Sequence, residues 1–122
     1  MIALDLDDTL LRSYLSISYR TRNAIKRAEA AGIVLVLASG RSPAAMERFA
    51  RLLRMHKRPG YLICNNGTII QESHTGKIVY TIQIPVQPAL TAFDLANAEG
   101  FPVQLYDDDI LYVSKPNEFA DL

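Results

Sequence analysis

Apolar runs alternate with amphipathic stretches along the first half of the chain. Ile2 to Leu6 is a short apolar run bounded by acidic residues, and it reads as a buried β-strand. Ser18 to Ala31 has helix-forming composition, with Ile25, Ala28 and Ala31 near helical spacing and Gly32 placed to end it. Ile33 to Ala38 is apolar throughout and rich in β-branched residues, the pattern of a parallel strand covered on both faces. Ser39-Gly40-Arg41-Ser42-Pro43 breaks that run, and Pro43 suits the first turn of a helix reaching about Met55. Met46, Phe49, Leu52 and Leu53 form the apolar face expected of that helix. Pro59-Gly60 is read as its end, and Tyr61 to Cys64 as a third strand.

Strand, helix, strand, helix, strand in that order predicts a right-handed parallel α/β sheet. Asn66-Gly67 and Thr75-Gly76 then bracket Thr68 to Glu72, with Lys77 to Ile84 beyond, a hairpin-like excursion. Pro85 and Pro88 mark a boundary. A helix from about Pro88 to Glu99 follows, stopped by Gly100. Pro102 to Tyr106 and Ile110 to Ser114 read as a strand pair turning at Asp107-Asp108-Asp109. The expected organisation is therefore an α/β half-core with a hairpin over 1–84 and the start of a second α/β unit over 85–122.

Composition narrows the partners. Thirteen basic residues balance thirteen acidic ones, which argues against a nucleic-acid or membrane-surface role needing a positive excess. No apolar stretch approaches a membrane span, and the first residues lack the pattern of a secretory signal, so a cytoplasmic location is the default expectation. Cys64 is the one cysteine, so no internal disulfide is possible.

Chemistry is concentrated in Asp5-Leu6-Asp7-Asp8-Thr9-Leu10, directly after the first strand. Ligands in open α/β sheets bind at the carboxyl ends of strands. Residues two apart on extended chain face the same way, so Asp5 and Asp7 can address one ligand together. Neighbouring carboxylates repel unless a cation neutralises them, and all-oxygen ligation completed by water and phosphate suits magnesium. One carboxylate can then attack phosphorus while the other serves the leaving oxygen. The plainer alternative for such a pair is a solvated acidic turn.

Three strings together carry a resemblance. Ile2-Ala3-Leu4-Asp5-Leu6-Asp7-Asp8-Thr9-Leu10-Leu11 resembles the first motif of haloacid dehalogenase-type phosphatases, and Ala38-Ser39-Gly40-Arg41 resembles their second. Ile63-Cys64-Asn65-Asn66-Gly67 is similar to the signature after the third strand in the Cof-type (IIB) branch, where an α/β cap is inserted. The resemblance implies a Rossmann-like core half followed by the start of that cap. It implies hydrolysis of a small phosphorylated metabolite, such as a sugar phosphate, through an aspartyl-phosphate. Asp5 would be the nucleophile and Asp7 the general acid and base. Magnesium would be held by the Asp5 carboxylate and the Asp7 backbone carbonyl. Ser39 and the backbone at Gly40 and Leu6 would bind phosphoryl oxygens, Thr9 would brace the first loop, and Arg41 and Asn66 would touch the substrate. For Arg41 a structural ion pair is an equal alternative.

Two departures qualify the match. Asp8 stands where the Cof-type pattern usually has Gly. The family's later lysine and acidic motif have no counterpart: Lys26, Lys57, Lys77 and Lys115 fall in other contexts, and Asp107-Asp108-Asp109 reads as a solvated hairpin tip. His56 and His74 read as surface imidazoles. The expectation is of a truncated piece whose first strand leaves an open edge, and which pairs with a missing C-terminal half or forms a dimer. An inert fragment or binding module is the competing functional reading. A receiver domain fits less well, because the third strand ends in Cys64-Asn65-Asn66 rather than an acceptor aspartate.

Overall fold

The computed structural model describes residues 1–107 and 110–114. Lys115 and the Asp108-Asp109 part of the expected acidic tip lie outside the described residues. The chain forms two compact units, Met1–Ile82 and Gln83–Leu122.

The first unit is a mixed sheet in the order β1-β2-β3-β4-β5. β1 (Ile2–Asp5), β2 (Leu35–Ala38) and β3 (Gly60–Cys64) run parallel, with Asp5 opposite Ala38 and Ala38 opposite Ile63. β4 (Ile69–Glu72) and β5 (Ile78–Thr81) continue it as an antiparallel hairpin. The crossovers are α1 (Tyr19–Ala30) and α2 (Pro43–Leu52). Ser18 caps α1 by accepting a hydrogen bond from the Thr21 N–H at 3.0 Å, and Ser42 caps α2 by accepting from Ala45 N–H at 3.3 Å.

The core lies where β2 and β3 meet α2. Leu37, Leu62, Met46 and Phe49 are buried almost completely, each contributing on the order of 1.5–3 kcal/mol through burial. Three expectations need correction. β1 does end the sheet with an open edge, as expected of this chain, pairing among the described residues with β2 alone; it is therefore not a buried strand, and Ile2 is 38% exposed. Leu52 is 44% exposed, because the buried stripe of α2 runs through Met46, Phe49, Ala50 and Leu53 at the three- and four-residue spacing of one helix face. That helix ends at Leu52, short of Met55 and well before Pro59-Gly60, and Arg54, at φ 62°, has left the helical region. Gly60 instead opens β3, where a Cβ would meet the backbone oxygen of Leu35 at 2.8 Å. A side chain there would push two core strands apart.

The second unit holds α3 (Val86–Ala98) and the antiparallel pair β6 (Gln104–Asp107) and β7 (Ile110–Val113). The helix starts two residues before Pro88, whose missing N–H falls in the first turn, where no helical partner exists. Gly100, at φ 85°, follows the helix end. No described helix is long and apolar enough to cross a membrane.

Candidate active site

The parallel strands set three loops side by side at their carboxyl ends. The first leaves β1 through a tight turn over Leu6–Leu10, in which Leu6 and Leu10 are buried and the Leu11 N–H donates to the Leu6 carbonyl at 2.8 Å. Burying the two leucines turns Asp5, Asp7 and Asp8 outward, and all three are exposed. Asp8 sits at φ 56° and ψ 7°, in the left-handed region. Glycine is the usual occupant of such a position, and aspartate is among the side chains that tolerate it best. The departure at Asp8 is thus a second solution to one backbone requirement.

The second and third loops are stitched by backbone hydrogen bonds. Ser39 N–H donates to Ile63 O at 3.0 Å, Asn65 N–H to Arg41 O at 2.9 Å, and Asn66 N–H to Ser39 O at 3.3 Å. Asn65, Asn66 and Gly67 all have positive φ, at 48°, 55° and 93°. Asn-Asn-Gly is a run of residue types that accept this conformation at least cost. The turn brings the Asn66 side chain over Gly40, where a Cβ would lie 2.9 Å from Asn66 Oδ1. Asn65 Oδ1 is shut off from solvent and accepts no hydrogen bond among the described residues.

Side chains of the first and second loops converge on Asp7. Arg41 donates from Nη2 to Asp7 Oδ1 at 2.7 Å and from Nε to Oδ2 at 3.0 Å, a bidentate fork. Ser39 Oγ donates to the same Oδ2 at 3.4 Å. The Arg41 hydrogen bonds hold the Asp7 carboxyl below its ordinary pKa against the opposing effect of burial, with Arg41's charge and Ser39 adding to the lowering. The Arg41 guanidinium lies 5.7 Å from the centroid of the Phe49 ring, and Arg48 lies 4.7 Å from it.

The structure thus groups Asp5, Leu6, Asp7, Ser39, Gly40, Arg41 and Asn66 at adjacent strand ends. Thr9 lies exposed in the first turn, and its hydroxyl makes no hydrogen bond among the described residues; the Leu11–Leu6 backbone bond braces the turn instead. Two neighbours escaped the sequence reading. Phe49 is legible there as core, but nothing in the spacing shows that Arg41 lies by its ring. The only sign of Asn65 is its place in the Asn-Asn-Gly run. Cys64 is fully buried and its thiol is pushed up to about 11 by burial, so it is no nucleophile at neutral pH.

For magnesium, the relevant observation is the donor set. The end of β1 offers hard oxygen donors, the Asp5 carboxylate and the Asp7 carbonyl, while Arg41 and Ser39 occupy the Asp7 carboxylate. Among the described residues no group of three His, Cys, Asp or Glu side chains could hold a metal. Two protein oxygens with water and phosphate completing the shell fit magnesium, which seldom relies on an all-protein cage.

Comparison with known proteins gives the arrangement a family. Pyridoxal phosphate phosphatase YbhA of Escherichia coli is 30% identical over 116 residues, covering 95% of this chain and 42% of that protein. A haloacid dehalogenase-like hydrolase from Bacteroides thetaiotaomicron superposes with a TM-score of 0.80 at 30% identity, over 93% of this chain and 42% of its own. The subclass IIB sugar phosphatase BT4131 shares the fold, with a TM-score of 0.77 at 23% identity, over 98% of this chain and 45% of its own. This chain therefore spans less than half the length of these relatives. The profile of the haloacid dehalogenase-like hydrolases matches residues 2–121, and the chain belongs to that family.

Proposed function

We propose that this chain carries the nucleophile half of a magnesium-dependent phosphomonoester hydrolase acting on a small phosphorylated metabolite, such as a sugar phosphate. The observation that carries this reading is the alignment of Asp5 and Asp7 with Ser39-Gly40-Arg41 at the carboxyl ends of adjacent parallel strands. An Asp5 carboxylate oxygen attacks phosphorus and forms an aspartyl-phosphate as the bond to the leaving oxygen breaks. Asp7 donates a proton to that oxygen and later takes one from the water that cleaves the acyl phosphate. Ser39 Oγ and the backbone at Gly40 and Leu6 hold phosphoryl oxygens, and Asn66 borders the substrate. Magnesium, held by the Asp5 carboxylate and the Asp7 carbonyl, offsets phosphoryl charge when bound.

Residues 85–122 are read as the beginning of a cap that encloses the substrate. Among the described residues one edge of β1 is unpaired, which supports pairing with a further segment of a longer protein or with a second copy. A monodisperse monomer in light scattering, with β1 amides protected from exchange, would count against such pairing.

The test is magnesium-dependent hydrolysis of a generic aryl phosphate by this chain, by a longer form of the protein, and by Asp5→Asn in each. Turnover in either form that Asp5→Asn abolishes supports the reading. Phosphate binding with no turnover in both forms would instead favour a binding module.

A further inference from the structure

In this structure side-chain donors of the second loop are already spent on an internal anion. Arg41 Nε, Arg41 Nη2 and Ser39 Oγ all point at one carboxylate, that of Asp7, at 3.0, 2.7 and 3.4 Å. Three donors around two oxygens of a planar anion is the arrangement that a phosphoryl group would also satisfy. Both Asp7 oxygens are occupied as a result. An acid or base must present an open lone pair to the leaving group or to water; of the carboxylate's roughly four, three are taken here and only one, on Oδ1, is left. The arrangement is therefore a resting one.

We propose that the Asp7 carboxylate occupies the anion site as a stand-in for substrate, and that an incoming phosphoryl group displaces it by taking over Arg41 and Ser39. The proposal rests on the functional reading above and adds how the site is held before substrate arrives. Two features make the exchange cheap. The Arg41 and Asp7 side chains are 32% and 47% exposed, so the pair is partly hydrated and its rupture strands no buried charge. The Arg41 head also lies near the ring of Phe49, which is itself fixed in the core at 1% exposure. The guanidinium can thus change partners from an anchored position. Displacement leaves the Asp7 oxygens open beside the newly bound phosphoryl group, where the leaving oxygen lies. Arg41 then acts twice, binding the substrate anion and, by letting go, exposing the acid.

A purely structural ion pair would behave differently. It would hold the two loops in place, and removing the Asp7 charge would then ease anion binding by the same amount whether or not Arg41 is present. Exchange requires that removing Asp7 frees Arg41, so that much of the gain in phosphate binding disappears when Arg41 is absent.

The experiment is a titration of the chain with inorganic phosphate at fixed magnesium chloride, followed by 15N-resolved NMR of the Arg41 Nε–H and the Leu6 and Gly40 amides. We expect all three to shift together. Asp7→Asn should tighten phosphate binding about two- to fivefold, the scale of a partly exposed ion pair. Arg41→Met should weaken it about tenfold, and should shrink the gain from Asp7→Asn in the double variant. If the Leu6 and Gly40 amides respond while Arg41 Nε–H does not, or if Asp7→Asn weakens binding, exchange is wrong and the site reading stands. If none of the three signals moves at millimolar phosphate, both readings fall.

Discussion

Residues 1–64 and residues 65–114 are built to different standards. Every buried hydrophobic side chain among the described residues lies between Leu6 and Cys64. Beyond Cys64, β5 is exposed at each position, and α3 keeps Val86, Leu90 and Leu95 largely in solvent. The residues proposed for chemistry stand almost entirely on the first region, at the ends of β2 and β3, which are packed, and of β1, the exposed edge strand. Asn66 is the exception, and it follows β3 by two residues. Phosphoryl transfer depends on fixed distances between a few groups, which a packed core supplies. Groups that contact varied substrates gain less from such fixity.

The largest expected effect tests that contrast directly. Phe49→Ala removes a ring that is 1% exposed and should cost on the order of 3–5 kcal/mol in urea unfolding. Leu95→Ala, at a position 65% exposed, should cost less than about 0.5 kcal/mol. Similar losses for both would mean that the second region is better packed than its exposure implies. Next in size is Gly60→Ala, expected to destabilise by about 1–3 kcal/mol because its Cβ would press on the Leu35 carbonyl, a backbone atom that cannot swing aside. Full retention of stability would show that β2 and β3 can separate without loss.

The smallest effect concerns pH. Arg41 lowers the Asp7 pKa in the folded protein, so the pair's contribution is present above about pH 4, the unfolded value. It is lost as pH falls through the lowered folded value. Arg41→Met should remove this component and flatten the acid limb of stability measured by urea unfolding between about pH 5 and 2. With Asp7 47% exposed, the difference should stay below about 1 kcal/mol. Parallel curves for the two proteins would show that the pair contributes nothing to stability.

Much of this was legible in the sequence for a physical reason: apolar runs and their breakers report local backbone and burial together. The uninterrupted run ending at Ala38 gave a strand covered on both faces, and Gly32 and Gly100 marked helix ends that require a positive φ. The haloacid dehalogenase-like fold followed from three motifs on three strands. What misled was information that is not local. Ile2 to Leu6 has the composition of an interior strand, and the burial read from that composition fails because strand order leaves it at the edge, where an open side was expected. Gly60 carries the signature of a helix stop, while its actual constraint comes from Leu35, a residue 25 positions earlier in the chain. In the site, the carboxylates could be read from spacing and the Ser-Gly-Arg loop from its resemblance to a family motif. Which of its possible partners Arg41 chooses could not, because that depends on side chains meeting across two loops.

The ways those loops are joined differ in one further respect. Backbone hydrogen bonds tie the Ser39–Arg41 loop to the Asn65–Asn66 loop, and dissolved ions barely affect them. Past the last β1–β2 pair at Asp5 and Ala38, the described ties between the first loop and its neighbour are Asp7's contacts with Arg41 and Ser39, which are largely ionic and partly open to water. Dissolved salt screens attractions of this kind, with a Debye length of about 8 Å at physiological strength and about 3 Å at 1 M. The separation between the Leu6–Leu10 loop and the Ser39–Arg41 loop is therefore sensitive to the medium, whereas that between the Ser39–Arg41 and Asn65–Asn66 loops is set by the backbone itself.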